Sequence, residues 1–432
     1  MQTNLIMEYS LIRLLACNIS KISLLLILSA FNMTNAQNSV SGRVTDAQTG
    51  EPIPFVNVFF ANTSFGASTG MDGQYSFSGF PSGKYDLTFT YIGYVTVQQS
   101  LEFDGATKYE YPQKLEQESK VLPEVLIKPD TAGWKQNYAD FRYHFLGTSP
   151  YAAKCEIKNP KNIFLYFDKR DGVLVAHARD AIVVENNATG YRIKYYLNHF
   201  EFQSRTGLFT IYGLPQFEEM TPKNKRVHKR WLKERQEIYQ GSLMHFIRSW
   251  HSYQWKENDF KVSRLYRVPN KERPTDEFLN QKIKRLREKA LASGGSSTLR
   301  LSVKNGTIDA GSDDSLAYYF RLRNLPKEVD SLISETLTGK EFISDSDPHR
   351  MSYKGLLLVQ YKELEDPLYA QMVGRAEQRT RQRSVLHLLG DLKLYDNGYY
   401  EDVRHVFLEN YWSWSEKIAT LLPLDYQPAL ED

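Results

Sequence analysis

The stretch from Ser39 to Phe103 constrains the fold of this chain more than any other part of it. It is a train of short alternating runs divided by turn chemistry. Val44, Val56, Val58, Tyr75, Phe77, Leu87 and Phe89 recur at spacings of two within their runs, the period of a strand that buries one face. Gly50-Glu51-Pro52, Asp72-Gly73 and Pro81-Ser82-Gly83 supply the reversals between the runs. So many strand signals in so few residues, with no helical window among them, predict a small β-sandwich.

A length of 432 residues leaves room for two or three domains in all. The first 36 residues read as a secretory signal peptide. Arg13 and Lys21 are its cations, Ile22 to Phe31 is its apolar run, and Thr34-Asn35-Ala36 is the small-residue site, with cleavage expected after Ala36. The apolar run is too short for a bilayer-spanning helix, which needs about 20 residues. Leu14-Leu15-Ala16-Cys17 resembles a lipoprotein cleavage site only faintly, because the apolar run follows Cys17 where a lipobox must come after it. With Cys17 removed, Cys155 is the remaining cysteine, so the fold is expected to do without an internal disulfide although it is exported. Lys154 and Lys158 flank Cys155 and would favour a thiolate. No nearby histidine or Cys-x-x-Cys supports a nucleophile, and a half-buried structural cysteine is expected. The net charge of +3, which falls by one without Arg13, Lys21 and Glu8, gives no reason to expect a nucleic-acid partner.

The order of signals in the first runs resembles the carboxypeptidase-regulatory-like, transthyretin-related domain of secreted Bacteroidota proteins. The motifs that carry the resemblance are Gly42 to Asp46, Gly50 to Ile53, Gly73 to Tyr75, Pro81 to Tyr85 and Tyr91 to Tyr94. Gly70 departs from the pattern, which usually has an acidic residue there. The resemblance implies a seven-stranded, prealbumin-like sandwich over residues 37–128 and no chemistry of its own. Leu122 to Ile127 resembles the segment that follows this domain in TonB-dependent transporters, where it engages TonB. Barely 300 residues remain, without the series of long, evenly spaced strands a large barrel requires. A last sandwich strand or a linker is therefore expected there.

Residues 129–432 read as an α+β domain with a mostly antiparallel sheet. Strands are expected at Ile163–Phe167, Val173–Ala178, Ala181–Glu185, Tyr191–Leu197, Phe200–Gln203 and Leu208–Tyr212. Later ones fall at Leu299–Val303, Ala317–Leu322, Gly355–Tyr361 and Val385–Leu389, with a hairpin turn at Asp396-Asn397-Gly398. Two basic amphipathic helices are expected. The first runs from Lys225 to Trp255 with Leu232, Tyr239, Leu243, Phe246 and Trp250 as its stripe. The second has Thr275 as N-cap, Leu279, Ile283, Leu286 and Ala290 as its stripe, and Gly294 as its stop. Ser293 to Ser297 reads as a connector, and Tyr411 to Pro423 as a short helix pinned by Trp412 and Trp414. Motifs around Cys155, Gly190-Tyr191, Trp231, Arg235, Tyr239, Gly241-Ser242, His245 and Tyr411-Trp412 resemble an uncharacterised Bacteroidota envelope family with the same sandwich. That resemblance implies architecture and location, not a reaction.

A search for chemistry finds no assembled constellation. Gly66-Ala67-Ser68-Thr69-Gly70 fits the Gly-x-Ser-x-Gly pattern, but strand sequence lies on both sides and no helix follows to make a nucleophile elbow. The histidines show no zinc-ligand spacing. Ser242 and His245 stand three apart, without a visible orienting carboxylate or oxyanion site. Asn305, Asp309, Asp313 and Asp314 lack the EF-hand register, and a solvated loop is expected. What stands out is charge. Lys225, Arg226, Lys229, Arg230 and Lys233 crowd one helix, and Lys284, Arg285 and Arg287 the other. A cationic first turn opposes the helix dipole, which marks these residues as a candidate patch for lipid phosphates or an acidic partner.

These features lead to a non-catalytic exported envelope protein without a cofactor. It is periplasmic or outer-membrane associated, and serves as an interaction or scaffold subunit of an outer-membrane assembly or transport complex. Its partners are expected to be envelope proteins, with a peripheral lipid-phosphate contact and no nucleic acid. The second reading is a glycan-binding accessory of nutrient uptake, which requires exposed rings among Tyr91, Tyr94, Trp250, Trp255, Trp412 and Trp414. An enzyme of unrecognised class is the third.

Overall fold

The computed structural model describes residues 38–105, 107–118, 133–292, 303–304, 307–308, 316–332, 340–344, 346–401 and 403–429. The signal segment with Cys17 and its cleavage point, the 122–127 stretch, the 293–297 connector and the loop residues Asn305, Asp309, Asp313 and Asp314 lie outside the described residues. Backbone packing divides the chain into two compact units, one formed by the residues up to Tyr239 together with those from Lys417, the other by Gln240–Glu416.

The first unit opens with the sandwich: β1 (Asn38–Asp46), β2 (Asn57–Phe60), β3 (Gly66–Ser68), β4 (Gln74–Phe80), β5 (Gly83–Thr90), β6 (Val97–Phe103), β7 (Lys108–Glu110) and β8 (Gln113–Leu115). These make eight strands rather than the expected seven, because the last edge is split into β7 and β8, which pair in parallel with successive halves of β1. One sheet has the order β4-β1-β7 with β8 also on β1, the other β3-β2-β5-β6. Alternation delivers Val40, Val44, Val58, Phe60, Tyr85, Leu87 and Phe89 to the core between the sheets.

The body of the same unit is a six-stranded antiparallel sheet under one helix. Its elements are α1 (Trp134–Leu146), β9 (Cys155–Ile157), β10 (Ile163–Asp168), β11 (Val173–Ala178), β12 (Ile182–Asn186), β13 (Tyr191–Gln203) and β14 (Leu208–Glu219). The order is β10-β11-β13-β12-β9, with β14 on β13. The two strands expected at Tyr191–Leu197 and Phe200–Gln203 are one strand with a bulge between Leu197 and His199. The bulge moves the buried phase from Tyr195 to Phe200. Phe141 and Phe145 of α1 close this face, with ring centroids 4.8 Å from Phe200 and 5.3 Å from Tyr195.

The single helix expected from Lys225 to Trp255 is two helices, α2 (Lys225–Tyr239) and α3 (Leu243–His251). Gly241 stands between them at φ 75°, a left-handed conformation that ends a helix. The expected stripe therefore breaks. Leu232 is 46% exposed, and α2 instead buries Trp231, Glu234, Arg235, Ile238 and Tyr239. Gly190, at φ 75°, makes room for this face, since a Cβ there would lie 2.2 Å from the Trp231 ring. Trp231 Nε1 donates to Asn187 O at 2.9 Å, and Arg235 Nε donates to Thr189 O at 2.7 Å.

The second unit is built on β15 (Phe260–Pro269), β18 (Glu328–Leu332), β21 (Gly355–Leu364), β22 (Arg381–Leu388) and β24 (Val406–Asn410), in the order β18-β15-β21-β22-β24. Short pairs β16 (Val303–Lys304) with β17 (Thr307–Ile308), and β19 (Ile343–Ser344) with β20 (Asp347–Met351) and β23 (Leu392–Lys393), accompany it. Phe246, Trp250, Trp255, Leu357, Leu386 and Trp412 form its core. The second basic helix is α4 (Asp276–Ala292), where Thr275 Oγ1 accepts the Phe278 N–H at 3.3 Å. Residues 317–322, expected as a strand, lie in helix α5 (Leu316–Asn324), because Tyr319 packs on Leu279 and Ile283 of α4. Helices α6 (Pro367–Met372) and α7 (Tyr411–Ser415) complete the unit, with Trp412 and Trp414 buried as pins.

Candidate interaction site

The two ends of the sandwich have opposite fates. The β2–β3 hairpin is docked on the body of its own unit. Asn57 Nδ2 donates to Tyr196 Oη at 2.8 Å and to Gln216 Oε1 at 2.7 Å, and Phe59 stacks on Tyr196 with centroids 5.4 Å apart. At the hairpin tip Asn62 N donates to Pro215 O, Phe217 N to Thr63 O, and Leu424 N to Asn62 O. Ser64 donates through N and Oγ to the Asp425 carboxylate. Phe59, Ala61 and Leu214 make a dry contact beneath these bonds. The pull of Tyr196 out of water raises its phenol to about 12.

At the opposite end two buried polar side chains tie the loops: Thr69, whose hydroxyl accepts the Val56 N–H at 2.9 Å and donates to Ile53 O at 2.7 Å, and Asp46. Asp46 is buried, and its Oδ1 accepts the backbone N–H groups of Gln48 and Thr49 at 2.7 and 2.9 Å. Its Oδ2 accepts Tyr94 Oη at 2.8 Å and Gln117 Nε2 at 2.9 Å. These bonds, the Thr49 N–H foremost, hold the carboxyl well below the ordinary aspartate range. Around this knot lie the most exposed large apolar side chains of the sandwich: Phe55 at 64%, Met71 at 75% and Ile92 at 76%. They share one end because β3, β2 and β5 are neighbours. Asn57 pairs with both Ser68 and Thr90, so residues just before 57, after 68 and after 90 leave the sheet together. Phe55 also has φ 61°, a costly conformation for a bulky residue.

The charged residues singled out in the sequence fall on both units. Lys225, Arg226, Lys229, Arg230 and Lys233 are exposed on α2 of the first, and Lys284, Arg285 and Arg287 are exposed on α4 of the second. They are not equivalent. Arg230 lies 3.8 Å from the buried Glu234, Lys233 pairs with Glu237 at 3.5 Å, and Arg287 lies over the Phe320 ring. Lys225, Arg226 and Lys229 have no ion pair among the described residues, and the first turn of α2 has no acid.

The candidate nucleophiles and bases have structural work. Ser68 ends the short edge strand β3, and β4 follows rather than a helix. Ser242 caps α3, accepting the His245 N–H at 3.1 Å, and His245 Nδ1 accepts the Gly241 N–H at 3.1 Å. Burial first, then the charges of Arg248 and Lys362, lower the His245 imidazole to about 4. Cys155 is buried, its thiol pushed up to about 12 by desolvation despite the flanking lysines. No group of three or more metal-ligating side chains occurs among the described residues. A cavity of about 10 Å³ between Leu243, Phe246, Met351, Leu386 and Leu392 has room for one water at most and is apolar. Of the six rings expected for a sugar platform, Trp250, Trp255, Trp412 and Trp414 are buried, while Tyr91 and Tyr94 are half-buried with ring centroids 5.7 Å apart, and Tyr94 is bonded to Asp46.

Comparison with known proteins agrees with the first half of this picture. Residues 40–127 match the family of CarboxypepD_reg-like domains, so the chain carries one such domain as its N-terminal β-sandwich. A stretch of 75 residues is 43% identical to TonB-dependent receptor P39 of Formosa agariphila, covering 17% of this chain and 7% of the receptor. Among solved structures, a candidate carbohydrate-binding protein from Bacteroides uniformis aligns at 14% identity and a TM-score of 0.16, over 41% of this chain and 78% of that one. A candidate membrane-associated protein of unknown function from Bacteroides fragilis aligns at 9% identity and a TM-score of 0.16, over 83% of this chain and 92% of its own. At such scores the structural likenesses carry no argument. Among the described residues, no helix is long and apolar enough to cross a membrane.

Proposed function

We propose that this protein is a non-catalytic, exported envelope protein that acts as an interaction or scaffold subunit of an outer-membrane assembly or transport complex. The observation that carries the reading is the asymmetry of the CarboxypepD_reg-like domain. One end is consumed in docking to its own body, through Asn57, Phe59 and Ser64. The other presents Phe55, Met71 and Ile92 to solvent, the Ile92 loop fixed by Asp46 and the Phe55 loop by Thr69. Apolar side chains held out on a braced frame suit binding better than packing. Export and outer-membrane association are supported by the short match to a TonB-dependent receptor. The absence of catalysis is supported by the structural uses of Ser242, His245 and Cys155.

Lys225, Arg226 and Lys229 form the second contact surface, directed at acidic or phosphate-bearing groups. Arg230 is left out of it, since its partner is the buried Glu234. The test is co-purification from native envelopes in mild detergent, with the K225E/R226E/K229E variant alongside. Recovery of wild type in a larger complex, and release of the folded variant or of wild type by salt, supports the reading. A lone monomer at every salt concentration overturns it.

A further inference from the structure

The apolar end of the sandwich and the basic face of α2 are complementary, and neither is covered by the described residues of its own unit. The loop end has Phe55, Met71 and Ile92 at its centre. Exposed Glu51, Asp72, Glu116 and Glu118 surround them. The last two are placed there by the Val95 N–H bonded to Glu116 O and the Glu118 N–H bonded to Gly93 O. Residues 49–55, 69–73, 91–95 and 116–118 contain no lysine or arginine. Arg43, whose Nε donates to Asp72 O at 2.9 Å, offsets one of the four acids and leaves the rim acidic on balance. The helix has the reverse pattern. Lys225, Lys229 and Leu232 stand four and three apart on one exposed face, with Arg226 and Lys233 beside them, and Leu232 is an apolar point in a cationic rim. An acidic rim disfavours an anionic lipid surface, and an apolar centre disfavours a free ion. A basic helix carrying one exposed leucine satisfies both halves of the loop end.

From this we infer that the partner of the sandwich's free end is α2 of a second copy of this chain. The inference rests on reading the α2 cations as a contact surface, and it names the acidic group they meet. Because two different surfaces engage, the contact is heterologous: each copy offers one free loop end and one free helix, and association runs head to tail. The contact is small, so it is expected to be weak, concentration-dependent and sensitive to salt. The strained φ of Phe55 fits this use, since it turns a large ring outward where folding alone gains nothing from it.

Sedimentation of the purified full chain tests the inference. Wild type is expected to at least double its average mass as concentration rises at low salt, and to return to monomer at high salt. Two variants are expected to stay monomeric: M71S/I92S, which removes the apolar tips, and K225E/K229E, which reverses the helix. All four positions are exposed, so both are expected to fold, with circular dichroism as the check. Mixing the two variants restores one intact pair of surfaces and is expected to give a heterodimer that grows no further. A wild type that stays monomeric at all concentrations overturns the inference, as does assembly that either variant leaves unchanged. The function proposed above fails separately. If K225E/K229E still leaves the envelope fraction while wild type is monomeric, the cations are a contact surface for something other than a second copy.

Discussion

The hydroxyl of Tyr94 donates to Asp46 Oδ2 at 2.8 Å, joining two motifs 48 residues apart in the chain. Gly42 to Asp46 ends the first strand, and Tyr91 to Tyr94 turns out of the fifth. Gln117 Nε2 reaches the same oxygen at 2.9 Å, so the knot also holds the segment that leaves the sandwich. The loop that carries Ile92 is thus braced by this carboxylate, while Thr69 braces Phe55, its carbonyl accepting the Phe55 N–H at 3.0 Å and its hydroxyl donating to Ile53 O at 2.7 Å.

Replacing Asp46 tests this bracing. Asp46→Ala removes the acceptor of four hydrogen bonds and is expected to lower the melting temperature by several degrees, with Tyr94→Phe costing less. The pH dependence has a definite sign. A carboxyl held below its unfolded value of about 3.9 stabilises the fold fully above that pH and loses the contribution as pH falls toward the folded value. The difference in melting temperature between wild type and Asp46→Asn is therefore expected to shrink as pH drops below about 4. An unchanged difference at pH 7 and in acid would refute the assignment.

The docked hairpin predicts cooperativity. With Phe59 fully buried and stacked on Tyr196, the sandwich and the body of its unit should melt together in calorimetry. Phe59→Ala is expected to cost about 3–5 kcal/mol and to separate a sandwich transition from the rest. A wild-type trace in which the sandwich already melts alone would contradict the docking.

Much of this architecture was legible from local pattern. The alternation from Val44 to Phe89 gave the sandwich, and the Thr275 cap gave the start of α4. The failures have physical causes. Tyr318-Tyr319-Phe320 has strong strand propensity, yet packing of Tyr319 on Leu279 and Ile283 makes that segment helical. The Leu232–Trp250 stripe matched a helical period across Gly241, but a left-handed glycine resets the phase. Strand β15 of the second unit and helix α1 of the first went unread because their faces are defined by partners far away in sequence. The basic residues of the candidate site were visible as composition. The apolar tips were not, because exposure of Phe55 and Ile92 follows from where three strands end together, and the docking of Asn57 depends on Tyr196 and Gln216, more than 130 residues away.

Gly190 and Trp231 predict a local lock. A methyl at position 190 would meet the indole at 2.2 Å while also opposing a φ of 75°. Gly190→Ala is expected to destabilise the first unit by about 2–4 kcal/mol in denaturant titration. Gly207→Ala makes the same backbone demand with nothing within 4 Å, and should cost about 1 kcal/mol. Equal losses would mean that the indole contact has no weight.

The Ser242–His245 pair gives the last prediction, because a catalytic and a structural pair titrate differently. A general base is useful when its pKa lies near the working pH. Burial beside Phe260 and Tyr361 lowers His245 to about 4, and the ring accepts the Gly241 N–H, which requires a neutral Nδ1. NMR titration should therefore show this imidazole neutral through pH 5. Since its folded pKa lies below the unfolded value of about 6.5, its contribution to stability is complete above that pH. It is lost as pH falls toward 4, at up to about 1.4 kcal/mol per pH unit. Ser242→Ala removes the cap of α3 and is expected to cost about 1 kcal/mol at any pH between 5 and 8. A His245 that titrates near 6.5, or a Ser242→Ala effect that follows the imidazole's protonation, would show that the two side chains work on each other rather than on the helix end.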